Sequence, residues 1–86
     1  MESQPGRYLP INRDERQALE AMKQGIQHLQ DGEEDEAITC FTEAIRLDPD
    51  CSRAYRLRGR VHEKTGAWAQ SERDVAKARR IEAMQT

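Results

Sequence analysis

The chain has 86 residues, 16 of them acidic and 14 basic, for a formal net charge of −2, and only 13 are Leu, Ile, Val or Phe. So few large apolar side chains lie near the lower limit of what one core can support, while the near-cancelling charges exclude a self-repelling disordered polyelectrolyte. A composition rich in Ala, Glu, Arg and Gln and poor in aromatic and β-branched residues argues against a sheet and for solvated helices.

The opening segment, residues 1–12 (MESQPGRYLPIN), reads as an extended leader. It has no apolar run of the length that a signal peptide or a membrane span requires, so no membrane contact and a cytoplasmic location are expected. Asn12-Arg13-Asp14-Glu15 has the spacing of a capping box and opens a helix over residues 13–30. Asp31-Gly32 breaks it. A second helix covers residues 33–47, where Ala37, Ile38, Phe41, Ala44, Ile45 and Leu47 recur at spacings of three and four along one face. Asp48-Pro49 ends that helix, because the residue before a proline is pushed out of the α region. The Asp50 carboxylate is then expected to cap a third helix over residues 51–64. Thr65-Gly66 separates it from a fourth over residues 67–84. The expectation is an all-α chain of four antiparallel helices joined by short turns.

Sliding the sequence by 34 positions superimposes Gly25 on Gly59, His28 on His62, Gly32 on Gly66, Ala44 on Ala78 and Leu47 on Ile81. Phe41 then meets Val75, and Ala37 meets Ser71. Gly25 and Gly59 let the two helices of a pair approach closely, Ala37 and Ala44 leave room, and Phe41 fills the resulting wedge.

These landmarks resemble the tetratricopeptide repeat family. Residues 18–51 supply its small residues, aromatic and closing proline as Gly25, Ala37, Phe41, Ala44 and Pro49. Residues 52–85 supply Tyr55, Gly59, Ser71, Val75 and Ala78, so the resemblance covers about four fifths of the chain. It implies an α-α superhelix with helix pair 1 over residues 13–51 and helix pair 2 over residues 52–86. Gln24, His28 and His62 stand where the family has large apolar or aromatic side chains. Ala83 replaces the second closing proline, so the fourth helix is expected to run on toward the chain end. Trp68 stands where the family often has Tyr and is expected to pack between helices.

The resemblance further implies binding of a protein or peptide in a concave groove, without catalysis or cofactor. Carried over position by position, that groove is Leu19, Met22, Lys23, Ile26, Leu29 and Gln30 from the first repeat. The second contributes Arg53, Arg56, Leu57, Arg60, Glu63 and Lys64, so one half is apolar and the other basic. The family's clamp for the C-terminal carboxylate of a heat-shock chaperone is not expected, because its polar positions hold Met22, Ile26 and Leu57.

Read as residues alone, Leu19, Met22, Ile26 and Leu29 form a helical stripe that is either core or ligand-facing. Residues 8–11 folding back, another copy of the chain and a ligand are all open as its cover. Arg53, Arg56 and Arg60 form a ridge suited to bidentate binding of carboxylates, or a solvated charged face. An alternative function is binding of nucleic acid or another phosphate-containing ligand through Tyr55, Arg56, Arg58, Arg60 and Lys64, which the net charge of −2 disfavours. His28 and His62, with no carboxylate, Ser or Cys partner at a defined spacing, read as packing residues, and no enzyme and no metal site are expected. Cys40 and Cys51 read as free thiols.

Charge is segregated. Residues 18–51 carry nine acids and two bases, residues 52–86 four acids and nine bases, and residues 1–17 three of each. Acidic repeat 1 of one chain meeting basic repeat 2 of another would make a homo-oligomer, a two-fold dimer or a head-to-tail stack. Val75, Ala78, Ile81 and Met84, with no successor repeat to pack against, are the expected self-association face.

Overall fold

The computed structural model describes residues 12–85, which form four helices: α1 (Arg13–Gln30), α2 (Glu34–Leu47), α3 (Ser52–Lys64) and α4 (Trp68–Met84). The leader read at residues 1–12 lies outside the described residues except for Asn12, which caps α1. The Glu15 amide donates to Asn12 Oδ1 at 2.7 Å and the Asn12 amide to Glu15 Oε1 at 3.3 Å, closing the capping box.

Both hairpins turn in the same way. The Glu33 amide donates to the His28 carbonyl at 2.8 Å and the Gly32 amide to the Leu29 carbonyl at 3.1 Å. Thirty-four residues later Ala67 donates to His62 at 2.7 Å and Gly66 to Glu63 at 3.1 Å. These paired bonds satisfy carbonyls that a helix end leaves open, and they require a left-handed residue between them. Gly32 and Gly66, at φ 78° and 86°, supply it.

Helices α2, α3 and α4 each start one residue later than the sequence suggests, because Glu33, Cys51 and Ala67 take non-helical ψ values of 77°, 88° and 71°. Asp50 does not cap α3. Cys51 is the N-cap, without a side-chain bond, and the Asp48 carboxylate instead accepts the Asp50 amide at 3.3 Å in a local turn ahead of the helix. Without a closing proline, α4 extends over 17 residues against 14 for α2.

Each helix packs on its neighbour in sequence, α1 on α2, α2 on α3 and α3 on α4. The buried apolar set is small: Ala18, Ala21, Met22, Ala37, Phe41, Ala44, Ala54, Val61, Ala78 and Ile81. Six of these ten are alanines, so the helices come close and Phe41, Ile81 and Val61 supply the volume. A Cβ on Gly25 would lie 2.5 Å from Phe41 Cε1, which is why the first hairpin needs glycine there.

Ala78 and Ile81 are 0% and 1% exposed, closed in their own hairpin, so they are not available as a self-association face. Val75 is half-buried beside Gly59, and only Met84, at 70%, is open. Trp68 is likewise not packed between helices. It is 62% exposed, in the first turn of α4 at the end of the hairpin.

Candidate protein-interaction groove

Helices α1 and α3 line a groove of ≈ 510 Å³. Ile26, Leu29 and Gln30 form one wall, and Arg53, Leu57, Arg60, Glu63 and Lys64 the other. Helical periodicity puts Arg53, Leu57, Arg60 and Lys64 on one stripe of α3, at intervals of four, three and four. Ile26 and Leu29, one turn apart, face them across the gap. Apolar groups from both helices are thus brought together with cations from one.

Beyond α3 the surface continues into a second hollow of ≈ 340 Å³, shared by Arg53, Arg56, Leu57 and Arg60 with Val75 of α4. Arg56 is not free there. Its Nε and Nη2 donate to the Glu82 carboxylate at 2.8 and 2.6 Å, which holds the Glu82 carboxyl below the usual carboxylate range. Lys64 approaches Glu34 at 3.7 Å. Arg53 and Arg60 have no ion partner among the described residues.

Not every expected groove residue reaches this surface. Met22 is 4% exposed and belongs to the core, its Sδ in contact at 3.7 Å with the Sγ of Cys51, the N-cap of α3. Leu19, 45% exposed, and Lys23 lie outside the lining, and Lys23 is 3.9 Å from Glu20. Ile26, Leu29, Gln30, Arg53, Leu57, Arg60, Glu63 and Lys64 are the expected residues that line this hollow. Residues 8–11, considered as a cover, lie outside the described residues.

The cations considered for a phosphate ligand are divided by the helix period. Arg56, Arg60 and Lys64 face the two hollows just described, whereas Tyr55 lines a separate cleft of ≈ 340 Å³ with Arg73, Lys77 and Arg80 of α4. Arg58 is taken up internally. Its guanidinium donates to both oxygens of Asp74 at 2.8 Å and to Thr42 Oγ1 at 3.2 Å, and lies 5.7 Å from the Tyr55 ring centroid. The hydrogen-bonded Asp74 carboxylate raises the pKa of Arg58.

Asp74, 5% exposed, aligns with Cys40 in the repeat register, so no matching acid in the first repeat marks it in the sequence. Both histidines also have a carboxylate, contrary to the sequence reading: His28 Nδ1 is 2.7 Å from Glu33 Oε1, and His62 Nε2 is 3.8 Å from Asp74 Oδ2. The first contact is made by the turn and the second by α4 packing, so no fixed sequence spacing unites them. Among the described residues no group of three or more His, Cys, Asp or Glu is placed to hold a metal, and no helix is long and apolar enough to cross a membrane. Cys40 and Cys51 are free and half-buried, and burial pushes the Cys40 thiol up.

Two hairpins in a 34-residue register, with Gly25 against Phe41 and α3 laid over the first pair, define a helical repeat. Residues 18–51 match the family profile of the tetratricopeptide repeat. Residues 18–51 carry a tetratricopeptide repeat. No curated protein matches it. The second hairpin puts Gly59, Ser71 and Ala78 in the places of Gly25, Ala37 and Ala44 of the tetratricopeptide unit and turns through the same pair of backbone bonds. Tetratricopeptide repeats are in general protein-interaction modules, not catalysts.

Proposed function

We propose that the chain binds a peptide or a partner protein through the groove between α1 and α3. The observation that carries this reading is the convergence of Ile26, Leu29 and Leu57 with the unpaired Arg53 and Arg60 in one open hollow. Half-buried apolar side chains give a ligand affinity, and the cations give it orientation and a faster encounter. The free thiols of Cys40 and Cys51 favour the cytoplasm as the place where this happens.

The test is Leu57→Glu, read by capture of partners from a cell extract and by sedimentation. Loss of captured proteins at unchanged mass and unchanged thermal melting supports the groove. Capture that survives the substitution removes it.

A second reading is favoured by charge alone: repeat 1 of one chain meets repeat 2 of another. With Ala78 and Ile81 buried, only Met84 and half-buried Val75 of the expected self-association face remain accessible, so the opposed charges are the main drive proposed for this contact. Self-association is then electrostatic and must weaken as salt shortens the screening length. Sedimentation at low and high salt checks it, and a mass that does not depend on salt counts against it.

A further inference from the structure

Resting on the groove reading, we propose that the ligand is an amphipathic helix carrying two acidic residues seven positions apart beside an apolar stripe. The argument starts from spacing. At 1.5 Å rise per residue, Arg53 and Arg60 are about 10.5 Å apart along α3, with Leu57 about 6 Å from the first. An extended ligand turns every second residue toward a groove, so its facing side chains fall at about 6.6 and 13 Å, and the second arginine lies between them. A helix laid alongside α3 repeats at the same interval as α3 itself. Its residues i and i+7 meet Arg53 and Arg60, while i+3 and i+4 meet Leu57 and the Ile26–Leu29 wall.

Charge complementarity selects acids for positions i and i+7. Arg53 and Arg60 are the groove cations without an ion partner among the described residues, and each guanidinium can take a carboxylate bidentately. The opposite wall contributes no cation that would compete for those acids. Glu63, near Lys64, disfavours a third acid at that end of the groove.

The experiment uses the full chain and three synthetic peptides of one length. The first is a helix former with Glu seven residues apart and Leu between them, the second replaces both Glu by Gln, and the third arranges the same residues with a period of two. Binding is followed by amide shift mapping and by titration. The expected result is that the first peptide binds tightest, moves Ile26, Leu29 and Leu57, and weakens roughly 2–5-fold with Arg53→Gln and again with Arg60→Gln. Equal binding of the Gln peptide at those residues overturns the acidic pair, and tighter binding of the period-two peptide overturns the helix, while both leave the groove reading in place. Shifts confined to Tyr55, Arg73, Lys77 and Arg80, or no shifts with any peptide, overturn the inference and the groove reading together.

Discussion

Single side chains decide how closely these helices approach. Ala for Gly25 gains about 1 kcal/mol of helix propensity, but its Cβ would meet three atoms of the buried Phe41 ring at 2.5 to 2.9 Å. Overpacking of that kind costs about 1–3 kcal/mol and outweighs the gain. Gly25→Ala should therefore lower the melting temperature by several degrees, more than Gly59→Ala, whose nearest neighbours lie at 3.2–3.3 Å, and Phe41→Leu should restore part of the loss. An unchanged melt for Gly25→Ala would rule out the close contact. Removal of the Asp74 side chain acts differently, since it strands the half-buried Arg58 guanidinium. Asp74→Ala should cost about 2–4 kcal/mol in chemical denaturation, whereas the same change at exposed Glu72 should be nearly silent. The Gly25–Phe41 wedge was legible in the sequence because a glycine and an aromatic at repeat spacing have one steric use. The Arg58–Asp74 pair was not, because a charged residue in a chain this charged reads as solvated until a second helix covers it. The same blindness hid the burial of Met22 and the exposure of Trp68, since a periodic stripe names a face without saying how far the neighbouring helix extends along it.

At the scale of elements, helix order and turns followed from local chemistry, and starts were less exact. Asn12 and Glu15 form a reciprocal cap that any sequence of this spacing permits, and Gly32 and Gly66 fix both hairpin turns through their positive φ. Asp50 has equally suitable chemistry but stands one residue before the true N-cap of α3, and Pro49 keeps the chain in a local turn. The two positions predict opposite outcomes. Asn12→Ala should remove about 1 kcal/mol and fray the start of α1, while Asp50→Ala should leave helicity and melting unchanged. Circular dichroism with thermal denaturation distinguishes them, and equal losses would mean that Asp50 caps α3 after all. The same element-level logic explains the groove. The spacing on α3 placed Arg53, Leu57, Arg60 and Lys64 on one stripe, but only the fold showed that Met22 is buried in the core and that Leu19 lies outside the groove lining.

On the scale of the whole molecule, the repeat register shows why the pair of hairpins faces water at both ends. Between the hairpins, α3 presents Ala54, Leu57 and Val61 to a surface that includes Met22 and Ile26. Thirty-four residues earlier the outer face of α1 has Glu20, Lys23 and Gln27, all exposed, in the places of those three. Thirty-four residues later the outer face of the second hairpin has Arg56 and Arg60 in the places of Met22 and Ile26, and Arg56 is occupied by Glu82. The internal interface is thus apolar and its two would-be copies are polar, which blocks stacking in the same register. Converting both outer faces should remove the block. A variant with Glu20→Ala, Lys23→Leu, Gln27→Val, Arg56→Met and Arg60→Ile presents complementary apolar faces at opposite ends, and a heterologous contact of that kind does not close on itself. Its sedimenting mass should rise without limit as concentration increases and should be indifferent to salt, unlike any association of the parent chain through its opposed charges. The variant with the first three changes alone should stay at the mass of the parent, because one apolar face has no complement. If the fivefold variant also keeps that mass, then polar outer faces are not what keeps these repeats from stacking, and the geometry of α4, three residues longer than α2, is the remaining barrier.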